Sequence, residues 1–215
     1  MKKLILLTTS FLFCFNIANA EFSMGVSGML LDVTAEGKQT LKTTGTVANK
    51  THDDTAEAGE IFVEKDIDGL KLGIAIIPMS AEVGSSSVTR TDKLTSGDVT
   101  GTQKASADFS MHTTIYAIIP LNDNGLYGKI GGGSVDVEST ESLVTGAKYG
   151  DETVNFATVG VGLEKDLDNG GFIRFEGTYS DYENVELKST GSDAVSTISG
   201  DIETITARVS IGKSF

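Results

Sequence analysis

The stretch Thr204-Ile205-Thr206-Ala207-Arg208-Val209-Ser210-Ile211-Gly212 alternates at every step. Ile205, Ala207, Val209 and Ile211 fall on one side of an extended chain and Thr204, Thr206, Arg208, Ser210 and Gly212 on the other, because successive side chains of a strand point to opposite faces. A helix would scatter both sets around its circumference. The pattern returns upstream, with Leu70, Leu72, Ile74 and Ile76 opposing Lys71, Gly73 and Ala75. It returns again with Phe109, Met111, Ile115 and Ala117 opposing Ser110, His112, Thr114 and Tyr116.

Working outward from these segments, the alternation predicts strands near 22–34, 58–67, 70–83, 106–121, 126–138, 153–167, 171–183 and 201–215. Their connections differ in kind. Asp68-Gly69, Asn122-Asp123-Asn124-Gly125 and Asp168-Asn169-Gly170 are tight-turn sequences that tolerate left-handed backbone. Between them lie longer stretches near 35–57, 84–105, 139–152 and 184–200, rich in Thr, Ser, Gly and Asp, which read as loops. Tight turns and long loops in strict alternation suit an all-β fold, an eight-stranded antiparallel up-and-down barrel with both termini at one rim. The chain has 25 glycines and two prolines and no apolar run of the roughly 20 residues that a spanning helix needs.

The first twenty residues stand apart. Lys2 and Lys3 precede an apolar run from Leu4 to Phe15 and then Ala18-Asn19-Ala20, the order of a cleavable signal peptide, with Ala18 and Ala20 as the small residues of the cleavage site. Residues 1–20 are therefore expected to be removed and 21–215 to form one barrel domain. Cys14 is lost with them, leaving no cysteine in the mature chain, and the formal charge moves from −13 to −15 as Lys2 and Lys3 leave. So acidic a chain lacks the Lys and Arg that neutralise phosphates, which argues against nucleic acid.

Alternation alone fits two barrels: a soluble one with its apolar face inside, and a transmembrane one with its apolar face on lipid and its polar face in the lumen. The asymmetry of short and long connections, the final Phe215, and the small residues and threonines on the polar faces favour the second. Trp is absent, so Tyr127, Phe172, Tyr179, Tyr182 and Phe215 are the candidates for an interfacial aromatic girdle.

The signal end Ala18-Asn19-Ala20, the strand Tyr127-Gly128-Lys129-Ile130-Gly131-Gly132-Gly133, and the closing Ala207-Arg208-Val209-Ser210-Ile211-Gly212-Lys213-Ser214-Phe215 resemble the small outer-membrane β-barrel family that includes OmpA-type, OmpX-type and opacity-protein barrels. That resemblance implies a cell outer-membrane location, reached through the Sec pathway. It implies Val209, Ile211 and Phe215 as the signal read by the barrel-assembly machinery, with periplasmic chaperones on the way. Lys213 departs from the pattern, which more often has an aromatic there. The implied surroundings are outer-membrane lipid and lipopolysaccharide, and the implied state is a monomer.

Following the alternation, Glu60, Glu64, Lys71, Lys129, Glu164, Arg174, Glu176 and Arg208 all point into the lumen. Isolated charges there would be costly, so pairing is expected. An eight-stranded barrel is just wide enough for side chains to fill, which favours a plugged lumen held by these pairs over a narrow ion or solute path lined by them. Asp108, Ser110 and His112 sit at alternate positions of one strand, but i, i+2 side chains on a strand stand about 7 Å apart, too far for a hydrogen-bonded triad. His52, in a long loop with no companion His or Cys, does not make a transition-metal site. Carboxylates such as Asp53, Asp54 and Glu57 lack any recognised calcium-loop spacing. Gly131 to Gly133 is not followed by a helix and is no phosphate loop; those glycines relieve crowding or let the strand bend. No enzyme, cofactor or metal is indicated. The expected role is structural or surface interaction through long acidic extracellular loops and an extracellular ligand, with a narrow porin-like channel as the alternative.

Overall fold

The computed structural model describes residues 21–41, 47–94, 97–190 and 196–215; the signal segment with Ala18 and Ala20 lies outside them. Ten strands account for most of the described chain: β1 (Phe22–Leu41), β2 (Val47–Ile67), β3 (Leu70–Ile77), β4 (Ala81–Leu94), β5 (Gly97–Pro120), β6 (Leu126–Ser142), β7 (Glu152–Asp166), β8 (Gly171–Tyr182), β9 (Val185–Lys188) and β10 (Ser196–Ser214). All pair antiparallel, each barrel strand with its neighbours in sequence, and β10 returns to β1 from Ser23↔Ser214 to Leu41↔Ser196. The ring is one of eight, β1-β2-β3-β5-β6-β7-β8-β10, with β4 continuing the line of β3 and β9 adding to the far end of β10.

The tight connections are made as their sequences dictate. Asp68 (φ 54°) and Gly69 (φ 88°) both take the left-handed region, the requirement of a two-residue type I′ hairpin turn. Asn122 Oδ1 accepts from the backbone N–H of Asn124 and Leu126 at 3.0 and 3.2 Å, and Leu121 N–H closes that turn onto Leu126 O at 2.8 Å.

Three features differ from the sequence expectation. Of the stretches read as long loops, the first two are mostly strand: β1 runs on to Leu41, β2 begins at Val47, and β4 with the start of β5 fills the second, whereas most of 139–152 lies between β6 and β7. At 20, 21, 24 and 19 residues, β1, β2, β5 and β10 are about twice the 9–11 residues needed to cross a membrane. Second, the strand expected over 70–83 breaks at Pro78-Met79-Ser80. Proline has no N–H for the ladder, and beyond this break β4 pairs with β5 alone. Third, β5 carries a bulge: Ser110 faces Asp136 while Thr113 faces Ser134, one residue too many on β5, with Met111 at φ 49°. The extra residue flips the face of everything before it, so Phe109 is buried in the lumen at 4 % exposure instead of meeting lipid beside Met111.

The outer wall carries Met24, Val26, Ile61, Val63, Leu72, Ile115, Ile130, Val161, Phe175, Ile205, Val209 and Ile211, all exposed. A continuous apolar belt of this kind has no place on a soluble monomer and decides the lipid-facing orientation. Outward Asp32, Glu57, Asp181 and Glu203 follow at the next levels up, where the belt ends. Tyr127, Phe172 and Tyr182 are buried inside the barrel and form no girdle; Tyr179 and Phe215 do face outward.

The lumen is layered. Its half nearest the tight turns holds the charged residues among Phe62, Ala75, Tyr116, Ile118, Tyr127 and Phe172. The half beneath the long connections is apolar, filled by Met29, Leu31, Val33, Ile77, Phe109, Val135, Val137, Val154, Phe156, Tyr182, Val185 and Ile202. A polar-in rule thus holds only for the first half.

Candidate functional site

The charged layer rests on a repeated local device. Phe62 of β2 lies opposite Gly25 of β1, Tyr116 of β5 opposite Gly73 of β3, Tyr127 of β6 opposite Gly162 of β7, and Phe172 of β8 opposite Gly212 of β10. In each pair the ring occupies the space that a Cβ on the glycine would need. Each strand of the ring thus contributes either a ring or the glycine beneath it, and four flat aromatic surfaces line the lumen wall.

The charges lie over and between these rings. Arg174 (β8) donates from Nη1 and Nη2 to both oxygens of Glu64 (β2) at 2.5 and 2.6 Å, and from Nε to Glu164 (β7) at 2.5 Å. Lys71 (β3) donates to the other oxygen of Glu164 at 2.5 Å, and Tyr116 donates to Glu64 at 2.7 Å. The guanidinium carbon of Arg174 stands 4.5 Å from the Phe172 ring centre and 5.4 Å from that of Phe62, within cation–π range. A second group adjoins this one. Lys129 (β6) and Tyr127 donate to Glu176 (β8) at 2.9 and 3.0 Å, and Arg208 (β10) bridges Glu176 and, at 3.2 Å, Glu60 (β2). Ser27 of β1 donates to Glu60 at 3.2 Å. Lys129 Nζ lies 4.1 Å from the Tyr116 ring centre and joins the two groups.

All eight charged residues singled out from the alternation are therefore in one network, four carboxylates against four cations. The Glu64 side chain is 0 % exposed and that of Arg174 4 %. Bidentate guanidinium–carboxylate geometry with the remaining donors satisfied is what lets such charges stay ionised away from water. Sequence reasoning missed the aromatic–glycine pairs and the partners Tyr116, Tyr127 and Ser27. Inward-pointing Tyr and Gly were visible, but which faces which depends on strand register.

Among the described residues, a concavity of about 920 Å³ opens to the outside where Gly28, Gly59, Gly177 and Ala207 lie between Leu30, Phe175 and Val209, with the inward Met29, Glu176 and Arg208 also in its lining. Inside, a cavity of only about 20 Å³ separates the charged layer from the apolar one.

The other residues considered for chemistry go elsewhere. His112 stacks on Phe156 with ring centres 4.5 Å apart and shares a hydrogen bond with Tyr182 Oη at 3.2 Å. Ser110, across the bulge, donates to Glu138 at 2.5 Å, and Asp108 lies in register with Glu82 and Glu138. No triad is assembled from them. His52 belongs to β2, not a loop; its ring lies against Gly84 of β4 and 3.7 Å from Asp54. Among the described residues no group of three or more His, Cys, Asp or Glu is placed to hold a metal ion. Beyond the belt, exposed Lys188 is held above its ordinary pKa by its hydrogen bond to Glu186.

No protein-family model matches the chain, and no curated protein sequence matches it. Among solved structures, the outer-membrane protein AlkL in lipid bilayers superposes with a TM-score of 0.55 at 14% identity, over 92% of this chain and 90% of that one. The outer-membrane protease OmpT from Escherichia coli gives 0.47 at 10%, over 94% and 99%. The attachment invasion locus protein Ail of Yersinia pestis gives 0.41 at 12%, over 89% and 99%. At these identities the likeness to AlkL speaks for the fold, that of a small outer-membrane β-barrel.

Proposed function

We propose that this outer-membrane β-barrel is sealed to ions and solutes and acts from its extracellular side, as a structural and surface-interaction protein. The observation that carries this reading is the double closure of the lumen: an ion-paired layer drawn from six of the eight ring strands, which Ser27 of β1 and Tyr116 of β5 join by hydrogen bonds, and an apolar layer packed above it. A conducting path would need both to open. What remains for function is the β-structure that rises past the lipid belt, chiefly the β4–β5 arm, paired from Ala81↔Phe109 to Leu94↔Gly97.

In this reading the tight turns face the periplasm and the arms face outward, beside lipopolysaccharide and toward an extracellular ligand. The chain reaches that state by Sec export, cleavage after Ala20, escort by periplasmic chaperones, and recognition of Val209, Ile211 and Phe215 by the assembly machinery. Placement is tested with single cysteines, since the mature chain has none. A membrane-impermeant maleimide added to intact cells should label Thr89→Cys in the β4–β5 arm and leave Asp123→Cys in a tight turn unlabelled until the cells are broken. Labelling of Asp123→Cys alone in intact cells would overturn the orientation.

A further inference from the structure

We propose that one water molecule is held inside the barrel where the ionic layer meets the apolar layer, bound by the Nε–H of Arg208. Three observations converge there. The cavity at this level measures about 20 Å³, and a single water needs roughly 10–15 Å³ counted in the same way. Arg208 lines it together with Lys129, Thr114, Thr178 and Thr206, so donors and acceptors surround the space while Met29, Ile77 and Phe156 cap it from the apolar side. The Nε of Arg208 is buried and has no protein partner, although Nη1 and Nη2 are occupied by Glu176 and Glu60. A buried N–H without a partner is rare because its lost hydration is not replaced.

The charge balance selects the ligand. Glu60, Glu64, Glu164 and Glu176 stand against Lys71, Lys129, Arg174 and Arg208, so the network is neutral without a further ion, and a halide would add an uncompensated charge. Water is neutral, donates and accepts, and matches the cavity in size. It completes the shell of Arg208 at the level where the ionic layer meets the apolar one.

The test is water-selective NMR on the ¹⁵N-labelled mature chain refolded in detergent micelles, following arginine Nε–H signals. Arg208 is assigned by loss of its signal in Arg208→Lys, or by through-bond correlation from its own side chain should that variant not fold. Its Nε–H should show NOE and ROE contacts with water of opposite sign, the mark of a water that outlasts surface hydration. Arg174, whose Nε–H donates to Glu164, should show none. Thr206→Ile, which fills the cavity, should abolish the Arg208 contact in a barrel that still shows heat-modifiable migration; Thr178→Ile serves if Thr206→Ile does not fold. No water contact at Arg208, its persistence in the filled variant, or a shift of the Arg208 signal on exchanging chloride for bromide would each overturn the proposal.

Discussion

Arg174 and Glu64 show what a single inward charge does in this barrel. Each is nearly or fully buried, and the pair shares two hydrogen bonds, so removing one leaves the other ionised without water. Arg174→Ala should lower the stability of the refolded barrel by about 3–5 kcal/mol, read as a shift in its urea midpoint in detergent; an unchanged midpoint would refute the pairing. Glu186→Ala, which removes only the exposed partner of Lys188, should leave that midpoint where it was, since exposed pairs are screened and weakly held. At Gly212 the limit is steric. A Cβ there collides with the Phe172 ring, so Gly212→Ala should cost about 1–3 kcal/mol as overpacking does, and Phe172→Leu in the same chain should recover part of it. Purely additive effects in that double-mutant cycle would show that the pair is not coupled. The inward direction of Arg174 and Glu64 is legible in the sequence, because alternation assigns the face. Their partnership is not, because β2 and β8 meet only through the stagger of a closed barrel.

At the scale of the strand, legibility follows the surroundings. Where one face meets lipid and the other a polar lumen, the period of two is plain, as in Thr204 to Gly212. Past the belt that contrast fades. The β4–β5 arm pairs Thr89 with Thr102 and Thr91 with Thr100 through their hydroxyls at 3.0 and 2.7 Å; such a segment reads as a polar loop, although β-branched threonine favours strands. Pro78 carries a mark of the break between β3 and β4 that reading 70–83 as one strand passed over, since proline inside a run argues against an unbroken strand. The bulge in β5 left no such mark, because Phe109 to Thr114 alternates on paper whether or not a residue is extra. It becomes visible only against the register of β6. Deleting Met111 should therefore turn Phe109 outward and misalign the arm, and heat-modifiable migration should be lost, whereas Met111→Gly, which suits the positive φ, should keep it. A Met111 deletion that still folds would refute the bulge as a fixed feature of the wall.

For the whole molecule, the barrel is a wall with two stacked fillings. Paired charges over aromatic rings close the half near the tight turns, and an apolar core closes the half beneath the arms. The barrel class, its strand count and the inward charges were readable from period and turn chemistry; the apolar layer was not, since Leu31, Val33, Val135 and Val137 look the same in sequence whether they face lipid or lumen. Their burial is what supports the proposal of a sealed barrel over a narrow pore. The direct measurement is single-channel recording of the refolded mature chain in planar bilayers, after heat-modifiable migration has shown that the barrel has formed. A folded barrel that produces no discrete current steps, and keeps its silence across the voltages the bilayer withstands, is the predicted result. Reproducible unitary conductance from that same folded material would contradict it and make Glu60, Glu64, Arg174 and Arg208 the lining of a pore.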